Sequence, residues 1–175
     1  MANVALKPQP LPQHGVTETY SKNILGPVLF EMYNLRVGGS IQAPGDGLEV
    51  APANSPYIIA NTESFTASVH IKFNSTPLTR LLLCLGTKIK VKFPIEGLGG
   101  AATETDLSTE ITTEANVFDY DLVYEGTPAR AGLTEGFYMI SAVAEIGPSK
   151  HPCAHFLFGA GYVAKVYLQV YDEAF

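Results

Sequence analysis

Residues 65–73 read Phe65-Thr-Ala-Ser-Val-His-Ile-Lys-Phe73, with an apolar side chain at every second position and a polar one between. Successive side chains of a β-strand point to opposite faces, so this alternation predicts a strand with one face in a core and the other in solvent. His70 belongs to the polar set, and we therefore expect its imidazole to be solvated on the outer face. This stretch indicates a protein built from half-buried strands.

The same two-residue period recurs along the chain. It predicts further strands over residues 87–93, 118–125, 137–146 and 162–171. The threonine-rich residues 103–113 are predicted to form a loop that contains a weak strand. Turn residues separate these segments at intervals of about eight to twelve residues, which is typical of a sandwich or barrel. We predict an all-β fold: an antiparallel β-sandwich, immunoglobulin-like or jelly-roll-like, with at most one or two short helices.

The segment 162–171 differs from the others because it is apolar on both faces. Strict alternation places Tyr162 on one face and Tyr167 and Tyr171 on the other. A strand of this kind is buried on both sides or meets a partner. The three tyrosines are therefore candidate interface residues, either as core or subunit packing or as a platform on which a sugar stacks.

One segment has the start and stop signals of a short helix. Thr76 or Ser75 can cap its start, Pro77 fits the first helical position, and Gly86 fits the residue after its end. We predict a helix over residues 77–85, with a buried strand over residues 80–85 as the alternative.

The first 14 residues are predicted to be an extended arm. Pro8, Pro10 and Pro12 alternate there, and each proline fixes φ and removes a backbone donor. The arm is either a disordered tail, an arm that lies across a neighbouring subunit, or a proline-motif ligand of another protein. Residues 15–175 are expected to form a single β-sandwich domain, since a chain of 175 residues is of one-domain size.

Composition excludes several classes of protein. The chain has 11 lysines and arginines against 17 aspartates and glutamates, a net charge of −6, which argues against nucleic-acid binding. It contains no apolar run of 18 residues and begins without the signature of a secretory signal, so we expect no membrane partner and a cytoplasmic location. Cys84 and Cys153 are the only cysteines, and we expect two free, largely buried thiols.

The charged residues are segregated along the chain. No lysine or arginine occurs in residues 93–129, whereas lysines cluster just before this range. We expect lysines of the strand at 87–93 to pair across strands with aspartates of the strand at 118–125. The two groups form either an exposed charged sheet face or opposite patches that meet across a subunit boundary. The candidate interface residues are Lys72, Lys88, Lys90, Lys92, Asp119 and Asp121.

The best candidate metal site is the short run His151-Pro-Cys-Ala-His155. In an extended segment His151, Cys153 and His155 share one face, and zinc accepts both histidine and cysteine ligands. The alternatives are a loop with one buried cysteine and two solvated imidazoles, or a Cys153 nucleophile with a histidine base. We expect no bound cofactor, because the glycines after residue 96 follow a lysine-lined strand, unlike a dinucleotide-binding turn.

Residues 134–138, Thr-Glu-Gly-Phe-Tyr, resemble the turn and tyrosine that open the penultimate strand in many immunoglobulin-like domains. Ile140 stands where antibody domains carry a cysteine. The resemblance therefore implies the architecture and not the antibody family.

These observations favour a non-enzymatic structural or assembly protein that self-associates as a homo-oligomer. The grounds are the proline-rich arm, the doubly apolar last strand and the segregated charges. The first alternative is a module that binds a carbohydrate or another small molecule through loops at one end of the sandwich. The second is a metal-dependent enzyme that uses His151, Cys153 and His155.

Overall fold

The computed structural model describes residues 20–22, 24, 26–39, 57–100, 103–149 and 157–172. Within these ranges the chain forms β-strands and two short helices, which confirms the predicted all-β class. The elements are β1 (Tyr20–Lys22), β2 (Phe30–Gly39), β3 (Ile58–Ala60), β4 (Phe65–Phe73), α1 (Pro77–Cys84), β5 (Thr87–Leu98), β6 (Thr105–Thr112), β7 (Asp119–Gly126), α2 (Pro128–Ala131), β8 (Gly136–Pro148) and β9 (Gly159–Tyr171).

The strands form two sheets that enclose one core. One sheet has the order β1-β2-β4-β7 and the other the order β3-β9-β8-β5-β6. Neighbouring strands are antiparallel except β3 and β9, which are parallel. Taken together, β2 and β3 occupy the place of the first strand of an immunoglobulin-type sandwich. In the four-stranded sheet, β4 and β7 occupy the places of strands B and E. In the five-stranded sheet, β5, β8 and β9 occupy the places of strands C, F and G. The order corresponds to the immunoglobulin-like form of the predicted sandwich.

Strand β4 has the predicted bounds and the predicted alternation. It lies between β2 and β7, and its apolar side chains face the second sheet: Val69 is 1% exposed and Ile71 is fully buried. Burying a side chain of this size stabilises the fold by about 1.5–3 kcal/mol. Both sheets contribute large side chains to the core, including Phe30, Phe65, Phe93 and Tyr138.

Helix α1 confirms the predicted helix and its end signals. Thr76 is the N-cap, and its Oγ1 accepts a hydrogen bond of 3.1 Å from the backbone N–H of Thr79. Pro77 occupies the first helical position. Gly86, just past the end, has a φ of 80°, a left-handed conformation that favours glycine.

The expectation of a buried Cys84 thiol is wrong. Cys84 is the last residue of α1 and is a free, exposed cysteine, because the helix turns Thr79 and Leu83 toward the core instead. Cys153 lies outside the described residues.

Strands β5 and β6 are more regular than local composition predicts. β5 continues to Leu98 through the glycine at 97, because its ladder with β8 continues and Leu98 pairs with Phe137. Residues 103–113 contain a regular eight-residue edge strand, β6, which pairs with β5 along its whole length. Pairing with a neighbour overrides weak local propensity here.

Strand β9 contains a β-bulge in its ladder with β8. Ile140 pairs with Val166, but the next residue, Ser141, pairs with Ala164. One additional residue, Lys165, is therefore accommodated in β9. Beyond it, the alternation of side chains between the two faces is shifted by one position.

The bulge brings the three tyrosines of β9 to one face. Tyr162 pairs with Val143 and Tyr167 with Met139, and both partners belong to the outer set of β8. Tyr171 follows the fully buried Val170 and shares this outer face. The prediction that Tyr162 lies opposite Tyr167 and Tyr171 is wrong, because strict alternation does not hold across a bulge.

The turn before β8 has the geometry that its resemblance to immunoglobulin-like domains implies. The hydroxyl of the fully buried Tyr138 donates a hydrogen bond of 2.7 Å to the carbonyl oxygen of Thr134, four residues upstream. This tyrosine corner ties the loop after α2 to the core. Tyr120 fixes the loop before β7 in a similar way, since its hydroxyl accepts from the N–H of Glu114 at 2.9 Å.

Some sequence predictions fall on other parts of the chain. The proline-rich arm, residues 1–14, lies outside the described residues.

No helix within the described ranges combines the length and the apolar character needed to cross a membrane.

Candidate functional site

The most exposed large apolar side chains of the five-stranded sheet form a continuous group on its outer face. Leu98 of β5 pairs with Phe137 of β8, and Met139 pairs with Tyr167 of β9. Leu98, Phe137 and Tyr167 are 45%, 57% and 48% exposed. We call this group, which Tyr171 extends toward β3, the aromatic row. It lies at the end of the sheet where β5 ends and β8 begins.

The aromatic row has properties of an interaction surface. Aromatic side chains provide large contact areas at a small entropic cost, and their tyrosine hydroxyls tolerate both solvent and a partner. Gln169 separates Tyr167 from Tyr171 along β9 and pairs with Phe137 across the ladder, so one amide lies among the rings. Exposed glutamates border the row, with Glu96 opposite Met139 and Glu135 before the start of β8.

The lysines of β5 lie on the same outer face, nearer the other end, and pair within their own sheet. Lys88 Nζ lies 2.8 Å from Glu110 Oε1 of β6, and Lys92 Nζ lies 3.9 Å from Glu145 Oε1 of β8. The hydrogen bond from Lys88 lowers the pKa of the Glu110 carboxyl below its ordinary value. Exposed pairs of this kind contribute about 0–1 kcal/mol each.

The expected pairing of these lysines with Asp119 and Asp121 is wrong. The two aspartates lie on β7 in the other sheet, so no cross-strand pair with β5 is possible. In register, Asp119 lies opposite Lys72 of β4, which also lies opposite Glu31 of β2. The role of Lys72, Lys88, Lys90, Lys92, Asp119 and Asp121 at a subunit boundary stays a prediction.

His70 is buried and not solvated as the alternation suggested. It lies on the outer face of the four-stranded sheet, where its residue is only 8% exposed. Asp121 Oδ1 lies 2.8 Å from Nδ1, Asp119 Oδ1 lies 3.3 Å from Nε2, and the Tyr33 ring packs at 4.7 Å between centroids. Both ring nitrogens of His70 therefore face a carboxylate of β7. Tyr33 of β2 and the two aspartates of β7 cover His70, although the alternation of the sequence places it on the polar face.

Tyr33, which packs on His70, provides a test of this cluster. Burial raises the pKa of its phenol above 10.0, and the carboxylates of Asp119, Glu31 and Asp121 raise it further. Because the pKa of the Tyr33 phenol is higher in the folded than in the unfolded chain, its contribution to stability is complete below about pH 10. This contribution is lost as the pH rises through the folded-state pKa. Tyr33→Phe should therefore make the free energy of unfolding fall less steeply above pH 10.

The measurement is urea unfolding of the wild-type chain and Tyr33→Phe at pH 8 and at pH 11. The stability difference between the two chains should change between these pH values in favour of the variant. A difference that is the same at both pH values would contradict the burial of the Tyr33 phenol.

A second apolar surface lies at the opposite end of the sandwich, on helix α1. Leu78, Leu81 and Leu85 are 44%, 56% and 71% exposed, and their spacing places them on one side of the helix. We call them the leucine stripe. Beside it is a groove of about 330 Å³, which is lined by Leu82, Leu85, Gly86, Thr87, Pro148, Ser149 and Phe158.

The predicted metal site is not tested by this structure. His151, Cys153 and His155 lie outside the described residues, so the metal site and the enzyme built on it remain predictions. Within the described part of the chain, no three histidine, cysteine or acidic side chains are arranged to hold a metal ion.

Sequence reasoning found part of these surfaces. It singled out Tyr162, Tyr167 and Tyr171 but not Phe137, Met139 or Leu98, because these join them only through the register of β5, β8 and β9. The leucine stripe had a signal in the sequence, namely leucines spaced by three and four residues in the predicted helix over residues 77–85.

Comparisons with known proteins identify no family. No protein-family model and no curated protein sequence matches the chain. Among solved structures, a beta-glucosidase from Listeria innocua in complex with gluconolactone matches with a TM-score of 0.42 and 11% identity. The same enzyme in complex with glucose gives a TM-score of 0.41 and 12% identity. Each match covers 82% of this chain and 16% of the enzyme chain.

Proposed function

We propose that this chain is a non-enzymatic structural module that self-associates through the aromatic row. The observation that carries this proposal is the pairing of Leu98 with Phe137 and of Met139 with Tyr167, which places exposed apolar side chains side by side on one sheet face. Contiguous exposed apolar surface with a polar rim is typical of protein–protein contacts.

The charges of the sheet support association of this face rather than ion binding. Lys88 and Lys92 are occupied by Glu110 and Glu145 of their own sheet, so this ladder offers little unpaired positive charge to an anion. His70 of the other sheet has both ring nitrogens against carboxylates and is poorly placed to act as a general base.

The test is the native mass of the full chain and of the double variant Phe137→Ser/Tyr167→Ser. The wild-type chain should associate at tens of micromolar in light scattering coupled to size exclusion. The double variant should be monomeric, because losing two central apolar contacts weakens association by about 30-fold or more.

Val123→Ser is the matched control for this experiment. Val123 is 48% exposed on the other sheet, so its substitution removes exposed apolar surface away from the row. The control should associate as the wild-type chain does. A wild-type chain that stays monomeric at these concentrations would overturn the proposal.

One observation favours a second candidate function, a carbohydrate-binding module. The bulge of β9 gathers Tyr162, Tyr167 and Tyr171 on one face, with Gln169 between the last two, which gives aromatic planes and an amide on one surface. Sugars stack on such planes and hydrogen-bond to such amides. A glycan array separates the two functions: a ligand whose binding is lost in Tyr167→Ala supports the carbohydrate-binding module.

A further inference from the structure

We infer that the aromatic row of one copy contacts the leucine stripe of the next copy, so that copies associate head to tail. This inference rests on the proposed function and names the partner of the same surface: α1 of a second copy of this chain. Three features carry it, namely the placement of the two apolar surfaces, the charges around them and the groove beside the stripe.

The two surfaces lie at opposite ends of the sandwich. α1 leads into Thr87 at the start of β5, and the aromatic row includes Leu98 at the end of the same strand. Eleven residue steps of about 3.3 Å separate them by roughly 36 Å. The stripe of one molecule therefore cannot contact the row of the same molecule, but it can contact the row of a second molecule stacked on the first.

The charges favour this contact over pairing of two rows. Glu96 and Glu135 border the row, so a contact between two rows would bring four carboxylates to the rim of one interface. Like charges brought together at an interface disfavour association. Helix α1 instead carries a single charged residue, Arg80, and no acidic one.

Arg80 is held in place on the helix. Its Nη2 donates to Ser75 Oγ at 2.8 Å, and its guanidinium lies 5.5 Å from the centre of the Phe118 ring. A fixed guanidinium loses less side-chain freedom when it meets a carboxylate than a free one does. By helical spacing Arg80 lies on the flank of the helix and not among the leucines, so α1 offers the negative border of the row a nearby positive charge and no carboxylate.

The groove beside the stripe provides a receptacle for a ring. Its lining is mostly apolar, with Leu82, Leu85 and Phe158 as the large side chains, and its volume of about 330 Å³ exceeds that of one aromatic side chain. Phe137 is the most exposed member of the row, at 57%. A large ring that fills a pocket at the centre of a contact is the usual form of an interaction hot spot.

Contacts between two different surfaces do not close on themselves in a pair. They leave one free row and one free stripe, so association continues into a ring or an open filament. The native mass of the wild-type chain should accordingly exceed that of a dimer and rise with concentration.

The test is a mixing experiment with two variants, each lacking one surface. The stripe variant is Leu81→Ser/Leu85→Ser, and the row variant is Phe137→Ser/Tyr167→Ser. All four side chains are exposed, so both variants should keep the wild-type circular-dichroism spectrum. Each variant alone should be monomeric in sedimentation equilibrium. A 1:1 mixture should give a species of twice the chain mass, because one intact row then meets one intact stripe.

The outcomes separate the head-to-tail contact from the proposed function. If the stripe variant associates as the wild-type chain does while the row variant is monomeric, self-association stands and the head-to-tail contact is overturned. If the wild-type chain associates but the mixture stays monomeric, the head-to-tail contact is likewise overturned. A monomeric wild-type chain overturns both. Leu78→Ser/Leu81→Ser serves as a second stripe variant if the first does not fold.

Discussion

Val69→Lys is expected to unfold the protein or to lower its free energy of unfolding by about 4 kcal/mol or more. Val69 is 1% exposed on β4 and lies opposite Leu122 of β7, so the lysine would be buried with no partner. An uncompensated buried charge costs about 3–5 kcal/mol, against a total stability of about 5–15 kcal/mol for a typical domain. Urea unfolding followed by far-ultraviolet circular dichroism measures the loss.

Thr66→Lys is the matched control on the same strand. Thr66 is exposed on the outer face and lies opposite Glu125 of β7, so a lysine there enters water beside a carboxylate. The expected change is within about 0.5 kcal/mol. Equal stability of the two lysine variants would contradict the assignment of inner and outer faces in β4.

Tyr138→Ala is expected to destabilise the fold by about 3–5 kcal/mol, because it empties the space of a fully buried ring between the sheets. Tyr138→Phe keeps the ring and removes the hydroxyl, which donates to the carbonyl oxygen of Thr134 at 2.7 Å, lies 3.3 Å from Thr134 Oγ1 and accepts from the Thr103 N–H at 3.4 Å. Its expected cost is about 1–2 kcal/mol. The difference between the two variants separates the packing of the ring from the anchoring of the turn.

Tyr167→Phe tests whether the loss belongs to the tyrosine corner. It removes a phenolic hydroxyl from a side chain that is 48% exposed, so its free energy of unfolding should match that of the wild-type chain. A Tyr138→Phe variant as stable as the wild-type chain would show that the tyrosine corner does not anchor the loop after α2.

The fold class was predictable because the core selects every second residue. In β4 and at the start of β5, each apolar position of the pattern is buried, from Phe65 and Ala67 to Ile89 and Phe93. Helix α1 was equally predictable, since Thr76 and Pro77 specify its start and Gly86 its end. In both cases the determining interactions are local.

The features that were not predictable depend on partners distant in sequence. Nothing around Lys165 marks the bulge, which is defined by the ladder that Ile140 and Ser141 make with β9. His70 has the pattern of a surface residue, yet Tyr33 and Asp121 from two other strands cover it. The lysines of β5 pair with Glu110 and Glu145 because the strands next to β5 are β6 and β8, and not β7.

For the candidate site, only the types of residue it contains were predictable, and not which of them are neighbours. Tyrosines and segregated charges are visible in the sequence, but an interaction surface requires neighbours in space. Leu98 and Phe137 become neighbours only when β5 and β8 pair in the observed register. The place of α1 at the far end of the same sheet likewise depends on the direction of β5.

The position of β9 has a consequence for how the protein folds as it is synthesised. This strand lies between β3 and β8, and its Gly161 leaves room for Phe30 and Met32 of the first long strand. β2 ends 120 residues and β3 ends 99 residues before β9 begins, so both leave the ribosome well before the strand against which they pack. Contacts so far apart in sequence form slowly, and the nascent chain should remain sensitive to proteases until residue 171 has cleared the exit tunnel.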